Sequence, residues 1–244
     1  MTRRIRTSLR PLLQLLVAVT LAVLLLAPAA ESVAAGGFVS GPAATWWVHP
    51  VTRAELHRSP SARAPDLARM HLFTEDGYPE VDVISGESVD RSGEMWLRVE
   101  EPAKPVPIAG WAPATAFTWP VAVRTRLVVD RVHLRAVLYR AGRVIWRAPV
   151  GVGKPSTPTP GGRFWVREKF VVPGDGLYGT RAFGTSSHSA VLTDWPNGGV
   201  IGIHGTDQPW LIPGRPSHGC IRIRNPDVER LYGLMPIGTP IVVL

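Results

Sequence analysis

Apolar positions in this chain come in short runs broken by glycine and proline, and they alternate with polar ones more often than they recur at helical spacing. The run Val81-Asp82-Val83-Ile84, the run Met95-Trp96-Leu97-Arg98-Val99 and the triplet Gly110-Trp111-Ala112 read as strands, the second alternating as a half-buried strand should. Pro102, Pro105 and Pro107 interrupt the chain before Gly110 and mark a long hairpin loop or a sheet edge. Further on, residues 124–129 are a strand candidate, and 134–140 and 143–148 flank Ala141-Gly142 as a two-strand hairpin. Residues 150–154 lead into a turn-rich loop at 155–162, and 163–166 returns as a strand. Residues 239–244 form a last strand.

One segment predicts a helix. Asn225 is a good N-cap, Pro226 suits the first helical position, and Asp227 and Glu229 sit near the positive helix end, so a helix should run from Asn225 to about Leu234. With 24 glycines and 24 prolines in 244 residues, the pattern predicts a mainly β protein and not a helical bundle. Trp119-Pro120 divides the chain into a first β-rich region at 45–118 and a second at 124–244.

The N-terminus departs from this pattern. Arg3, Arg4, Arg6 and Arg10 precede an apolar stretch at 12–27, and Ser32-Val33-Ala34 offers a small-residue cleavage site. Residues 1–34 read as an export signal, with a retained membrane anchor through residues 12–30 as the alternative. No cysteine lies near this segment, which excludes a lipoprotein. Removing residues 1–34 takes four arginines and one glutamate from a formal charge of +8 and leaves +5. A basic exported chain is drawn to anionic polymers of a cell envelope. Nucleic acid is not an expected partner, because the arginines are dispersed and no basic helix, zinc spacing or aromatic RNA-binding cluster is present.

Cys220 is the only cysteine, so neither an internal disulfide nor a Cys-based zinc site can form, and no metal or cofactor is expected. A free thiol outside the cytoplasm is exposed to oxidation and is easiest to explain if it does chemistry. The chain around it reads IGIHGTDQPWLIPGRPSHGCIRIRN over residues 201–225. Twelve residues, stiffened by Pro209, Pro213 and Pro216, separate His204 from Ser217 and can return the chain on itself. His204 could then take the proton of the Cys220 thiol, and backbone N–H groups around Gly219 and Cys220 could hold an oxyanion. A thiol activated in this way would react with electrophiles faster than free cysteine at neutral pH. The plainer alternatives are an inert buried thiol, a structural His204, a solvated Arg222, an Asn225 that only caps the helix and a Ser217 that only bonds local backbone. Tyr178 lies in the glycine-rich segment 173–179, either a surface turn or a lid over the site.

At His204-Gly205-Thr206, Ser217-His218-Gly219-Cys220-Ile221-Arg222 and Asn225 the sequence resembles the L,D-transpeptidase family with the YkuD-type catalytic domain. The segment Thr157-Pro158-Thr159-Pro160-Gly161 with Phe164 is similar too, although Gly162 is one residue more than the family's compact form. The resemblance implies a β-rich catalytic domain over 124–244. The pattern of Trp96, Leu97, Arg98, Val99, Gly110 and Trp111 resembles a bacterial SH3-like small barrel over 45–118. By the same resemblance Cys220 is the nucleophile, His204 the general base and Gly205 the carbonyl that orients it. His218, Gly219 and Cys220 line the oxyanion hole, and Ser217, Arg222 and Asn225 shape the site. The implied substrate is a peptidoglycan stem peptide in the cell envelope, cross-linked by an amine or hydrolysed by water as in an L,D-carboxypeptidase, and the implied inhibitors are carbapenems. A non-catalytic peptidoglycan-binding protein and a thiol peptidase are the competing readings.

Overall fold

The computed structural model describes residues 37–104, 106–174, 176–192 and 199–244. The expected signal or anchor at 1–34 lies outside these residues. Among the described residues no helix is long and apolar enough to cross a membrane.

The fold is mainly β with a single α-helix near the C-terminus among the described residues. The first seven strands are β1 (Thr45–Val48), β2 (Glu55–His57), β3 (Asp66–Arg69), β4 (Asp82–Val89), β5 (Met95–Glu101), β6 (Ile108–Pro113) and β7 (Val121–Val123). They form one sheet in the order β3-β2-β6-β5-β4-β1-β7. Leu56, Ile84, Leu97 and Val99 fill its core, and the alternation of Trp96-Leu97-Arg98-Val99 places Arg98 on the outer face.

Ten strands form the second sheet. They are β8 (Thr125–Asp130), β9 (Arg135–Arg140), β10 (Arg143–Pro149), β11 (Gly151–Gly153), β12 (Gly162–Val171), β13 (Arg181–His188), β14 (Val200–His204), β15 (Gly214–Ser217), β16 (Ile221–Arg222) and β17 (Pro240–Val243). Their order is β10-β9-β8-β17-β12-β13-β14-β16-β11-β15. The hairpin expected at Ala141-Gly142 is present, with both residues at positive φ as a tight two-residue turn requires. The helix α1 (Asn225–Leu234) buries Val228 and Leu231 in a core shared with Phe183, Ile203 and Ile221. Its start differs from the sequence expectation. Arg224 holds the N-cap position without a side-chain cap, Asn225 is the first helical residue, and the Asn225 side chain is turned to another task.

The two sheets belong to one compact unit spanning residues 37–244. Trp47, Val81, Val83 and Trp165 pack together between them, and Trp165 Nε1 donates to the Val81 carbonyl at 2.6 Å. Beside them the buried Arg167 guanidinium donates to both carboxylate oxygens of Glu80 and, at 2.9 Å, to Glu75. Thr74 Oγ1 donates to Glu168 at 2.6 Å. The hairpin 73–79 of the first half is thereby fastened to β12 of the second. Removing one partner of a buried ion pair leaves the other charge uncompensated. Arg167→Ala should therefore cost about 3–5 kcal/mol in a denaturant titration, whereas a change under 1 kcal/mol would show that water replaces the guanidinium.

Next to this pair lies an unbalanced acid. Asp82 is 0% exposed, and neither carboxylate oxygen has a hydrogen-bond partner among the described residues. Burial first, then the nearby Glu101 and Glu80 carboxyls, push its pKa well above the ordinary 3.8, while Arg167 opposes the shift. Below pH 3.8 both folded and unfolded chains hold this proton and it does not affect stability. As pH rises past that value the unfolded chain releases the proton and the folded one keeps it, so the folded state loses ground. Asp82→Asn removes the titration. It should raise the melting temperature at pH 7 by at least about 2–4 °C, the shift that ~1 kcal/mol gives in a domain of this size, and the gain should vanish near pH 3.5. A gain of equal size at both pH values would refute the linkage.

Candidate active site

The site is one face of the second sheet. Strands β12, β13, β14 and β16 are neighbours, and pairing sets Glu168 opposite Gly184, Gly184 opposite Gly202, and His204 opposite both Ala182 and Arg222. Because side chains alternate, the intervening Phe183, Ile203 and Ile221 enter the core while these residues face outward. They floor a cavity of about 450 Å³ that also takes in Cys220, Ser217, His218 and Tyr178.

Cys220 and His204, sixteen positions apart in sequence, meet over Gly202. A Cβ built there would lie 3.9 Å from Cys220 Sγ and 3.8 Å from His204 Cδ2, so both groups stand within contact distance of this one backbone position. The Gly202 N–H donates to Sγ at 3.4 Å. His204 is buried, and its Nδ1 donates to the Gly205 carbonyl at 2.6 Å. That carbonyl can only accept, so the proton is on Nδ1 and Nε2 carries the lone pair.

Asn225 supports this arrangement from the first turn of α1. Its Oδ1 accepts from the Thr206 N–H at 3.0 Å and fixes the segment whose carbonyl orients His204. Gly205 and Gly179 approach so closely that a Cβ on Gly179 would sit 2.5 Å from Gly205 Cα. Gly179, at φ +62, thus lets the segment carrying Tyr178 rest on the end of β14. The Tyr178 ring stands edge-on to His204 with centroids 4.9 Å apart.

The turn before Cys220 is held by short bonds. Ser217 Oγ donates to the Cys220 carbonyl at 2.6 Å and accepts from the Gly219 N–H at 3.1 Å. Thr159 Oγ1 donates to the Gly219 carbonyl at 2.7 Å, which ties in the upstream proline-rich loop. Ser217 therefore bonds local backbone, the plainer of its two readings. The Gly219 N–H, expected in an oxyanion hole, is given to Ser217 in this structure. The φ of +128 at Gly219, with a Cβ there only 2.7 Å from Ile201 Cδ1, requires glycine. His218 turns outward, with Nε2 3.1 Å from Lys154 Nζ. Arg222 lines the cavity, and its Nε is buried with no hydrogen-bond partner among the described residues.

Burial sets the charge state. It pulls His204 down to about 4, opposed by the bond to Gly205 and reinforced by Arg222. It pushes the Cys220 thiol up, against the pull of the Gly202 N–H and Arg222. The resting site holds a neutral thiol beside a neutral imidazole. A thiol faster than free cysteine would need help beyond this resting state, because desolvation outweighs the donors around the sulfur.

Sequence reasoning missed Gly184, Gly202, Glu168 and Asp76. The glycines give no signal until register places them in one row, and the two acids lie 92 positions apart, Asp76 in the turn of the hairpin 73–79 at the cavity rim and Glu168 on β12 in its wall.

Fold and site together define a mainly β protein with a thiol and an imidazole on one face of an open-edged sheet. Residues 124–243 match the YkuD family model, the L,D-transpeptidase catalytic domain, and this part of the chain belongs to that family. YkuD of Bacillus licheniformis is 34% identical over 106 residues, covering 43% of this chain and 57% of that protein. L,D-transpeptidase 1 of Mycobacterium tuberculosis is 29% identical over 116 residues, covering 43% of this chain and 44% of that protein. The alignments span about half the length of these curated relatives. The NMR structure of the catalytic domain from the E. faecium L,D-transpeptidase is 29% identical, with a TM-score of 0.37, covering 49% of this chain and 96% of that one.

The neutral resting pair has a measurable consequence. Alkylation of Cys220 by iodoacetamide, followed by intact mass, should be slower than that of free cysteine at pH 7 and should keep rising beyond the usual thiol range near pH 8.5. Arg222→Gln should slow it further by removing a cation that favours the thiolate. A rate already on a plateau below pH 7 would show a preformed thiolate.

Proposed function

We propose that this chain is an exported L,D-transpeptidase acting on peptidoglycan stem peptides, with Cys220 as its nucleophile. The observation that supports this most is the position of His204. Its Nδ1 proton is committed to Gly205, so Nε2 is the nitrogen of this ring left to take a proton, and the ring lines the same cavity as Cys220.

The chemistry begins with the neutral pair. A donor peptide seats its scissile carbonyl against Sγ, and the thiol proton passes to Nε2 as the S–C bond forms. Arg222 and the Gly202 N–H stabilise the sulfur while it is anionic, and the N–H of Cys220 lies next to the developing oxyanion. Collapse breaks the C–N bond to the terminal D-alanine, whose amine leaves with the proton held by His204. An amine of a second stem then attacks the thioester carbon, gives its proton back to Nε2, and the thiol is restored. Arg222 also suits a substrate carboxylate, since its Nε has no hydrogen-bond partner among the described residues. Tyr178, 48% exposed and edge-on to His204, covers the imidazole and limits water, which favours an amine acceptor over hydrolysis. Residues 45–118 serve in this reading as an SH3-like module, and the basic and apolar segments of 1–34 direct export to the cell envelope.

Incubation with a tetrapeptide-bearing muropeptide, followed by mass analysis, tests the reading. Loss of D-alanine with dimer formation is expected, Cys220→Ala should abolish both, and His204→Ala should lower kcat by on the order of 10²–10⁴. Loss of D-alanine without dimers would make the protein an L,D-carboxypeptidase. No release at all, with no carbapenem adduct on Cys220, would leave a peptidoglycan-binding protein.

A further inference from the structure

The cavity continues past the thiol across the sheet, and its far end is acidic. Glu168 is 1% exposed yet contributes to the cavity wall, where its carboxyl lies over Gly184: a Cβ there would come within 2.3 Å of Oε1. Asp76, on the hairpin 73–79, reaches the same cavity and shares a hydrogen bond with Glu168. Gly184 and Gly202 lie directly opposite each other on paired strands, so a bare glycine floor runs from the carboxyl pair to Sγ. Side chains on two such positions would stand about 4.5–5.5 Å apart, which puts carboxyl and sulfur within about 12 Å of each other. The walls between them are apolar, from Phe170, Leu177 and Ile201. At the thiol end stands Arg222 with its unpartnered, buried Nε. A cavity with a cation at one end, an acid pair at the other and an apolar, side-chain-free passage between fits a ligand that carries both a carboxylate and an amine.

We propose that the Asp76–Glu168 pair binds a primary ammonium group on the side chain of the acyl-donor peptide. This rests on the transpeptidase reading above and adds to it a specificity site built from both halves of the protein. The residue acylated onto Cys220 has its carbonyl at the sulfur. A lysine-length side chain extended from it along the glycine floor carries its ammonium to the carboxyls. The attacking amine of a second peptide must sit beside the thioester carbon and cannot occupy this position at the same time.

Proton balance at the pair supports this role. Burial first, opposed by the Thr74 hydroxyl and helped by Asp76, pushes Glu168 up to about 7, with Arg167 pulling the other way. Near neutrality the Glu168 carboxyl is partly protonated, and an arriving ammonium displaces that proton. The other ionisable side chains lining the cavity are Tyr178, His204, His218, Cys220 and Arg222, and Glu75, Arg167 and His188 stand around the hairpin that carries Asp76. His204 stays neutral down to about pH 4 and the Cys220 thiol stays protonated above its ordinary range, so neither changes charge across the window that matters here.

The test uses the full chain with Cys220→Ala and a tetrapeptide with lysine at its third position, either free or acetylated on that side chain. Calorimetry should show the free amine binding at least tenfold more tightly, with affinity rising between pH 6 and 8. Asp76→Asn, at an exposed rim position that leaves the bond from Thr74 to Glu168 in place, should cut the discrimination severalfold, and adding Glu168→Gln should abolish it. Equal binding of both donor forms, no binding by either, or discrimination that survives the double substitution overturns the proposal. D-alanine release by the native protein is read in parallel. Release without amine discrimination removes the subsite and keeps the reaction, and discrimination without release does the reverse.

Discussion

The parallel pairing of β14 with β16 is the contact on which the site depends. It places Ile203 against Ile221 in the core and His204 beside Arg222 on the outer face. Once those two rows are set, Cys220, one position before β16, has to emerge next to Gly202. The connection that closes this pairing is long enough to need stiffening, and the prolines between residues 209 and 216 supply it. The hydrophobic pair provides the driving force and the polar face inherits its geometry. Moving the register by one residue would exchange the two faces and bury the imidazole's neighbours in place of the isoleucines.

Around that pairing, each chemical group is held through its neighbour. Asn225 fixes Thr206, the Gly205 carbonyl fixes the tautomer of His204, and Ser217 and Thr159 clamp the turn before the sulfur. These bonds are buried or partly buried and lie within the protein itself, so the geometry exists before any ligand arrives. Charge is treated in the opposite way. Thiol and imidazole rest uncharged, and ion separation is deferred until a substrate brings its own polar groups.

Much of this was legible in the sequence. The alternating runs located most strands, the Ala141-Gly142 hairpin was found at its residues, and the helix was placed with its cap one residue late. Cys220 and His204 stood out because a lone thiol and a nearby imidazole separated by a proline-rich loop are unusual chemistry. Asn225 was read both as a helix cap and as a residue shaping the site: an asparagine before proline has the local look of a cap, and only the three-dimensional position of Thr206 shows where its oxygen goes. The acid pair was invisible, since Asp76 and Glu168 are joined by tertiary docking and not by spacing. The resting charge state was hidden for a related reason. Burial is a property of the folded cavity, and no local pattern reports it.

The seam between the two sheets has a practical consequence for anyone trimming the chain. Cutting at the junction near Trp119 to isolate residues 124–244 would strip Arg167 of both its acids and leave the Trp165 indole without Val81. An apolar, positively charged scar would open on β12, beside the strand that walls the reaction chamber. Such a fragment would be expected to clump, and inactivity measured on it would reflect the wound and not the enzyme.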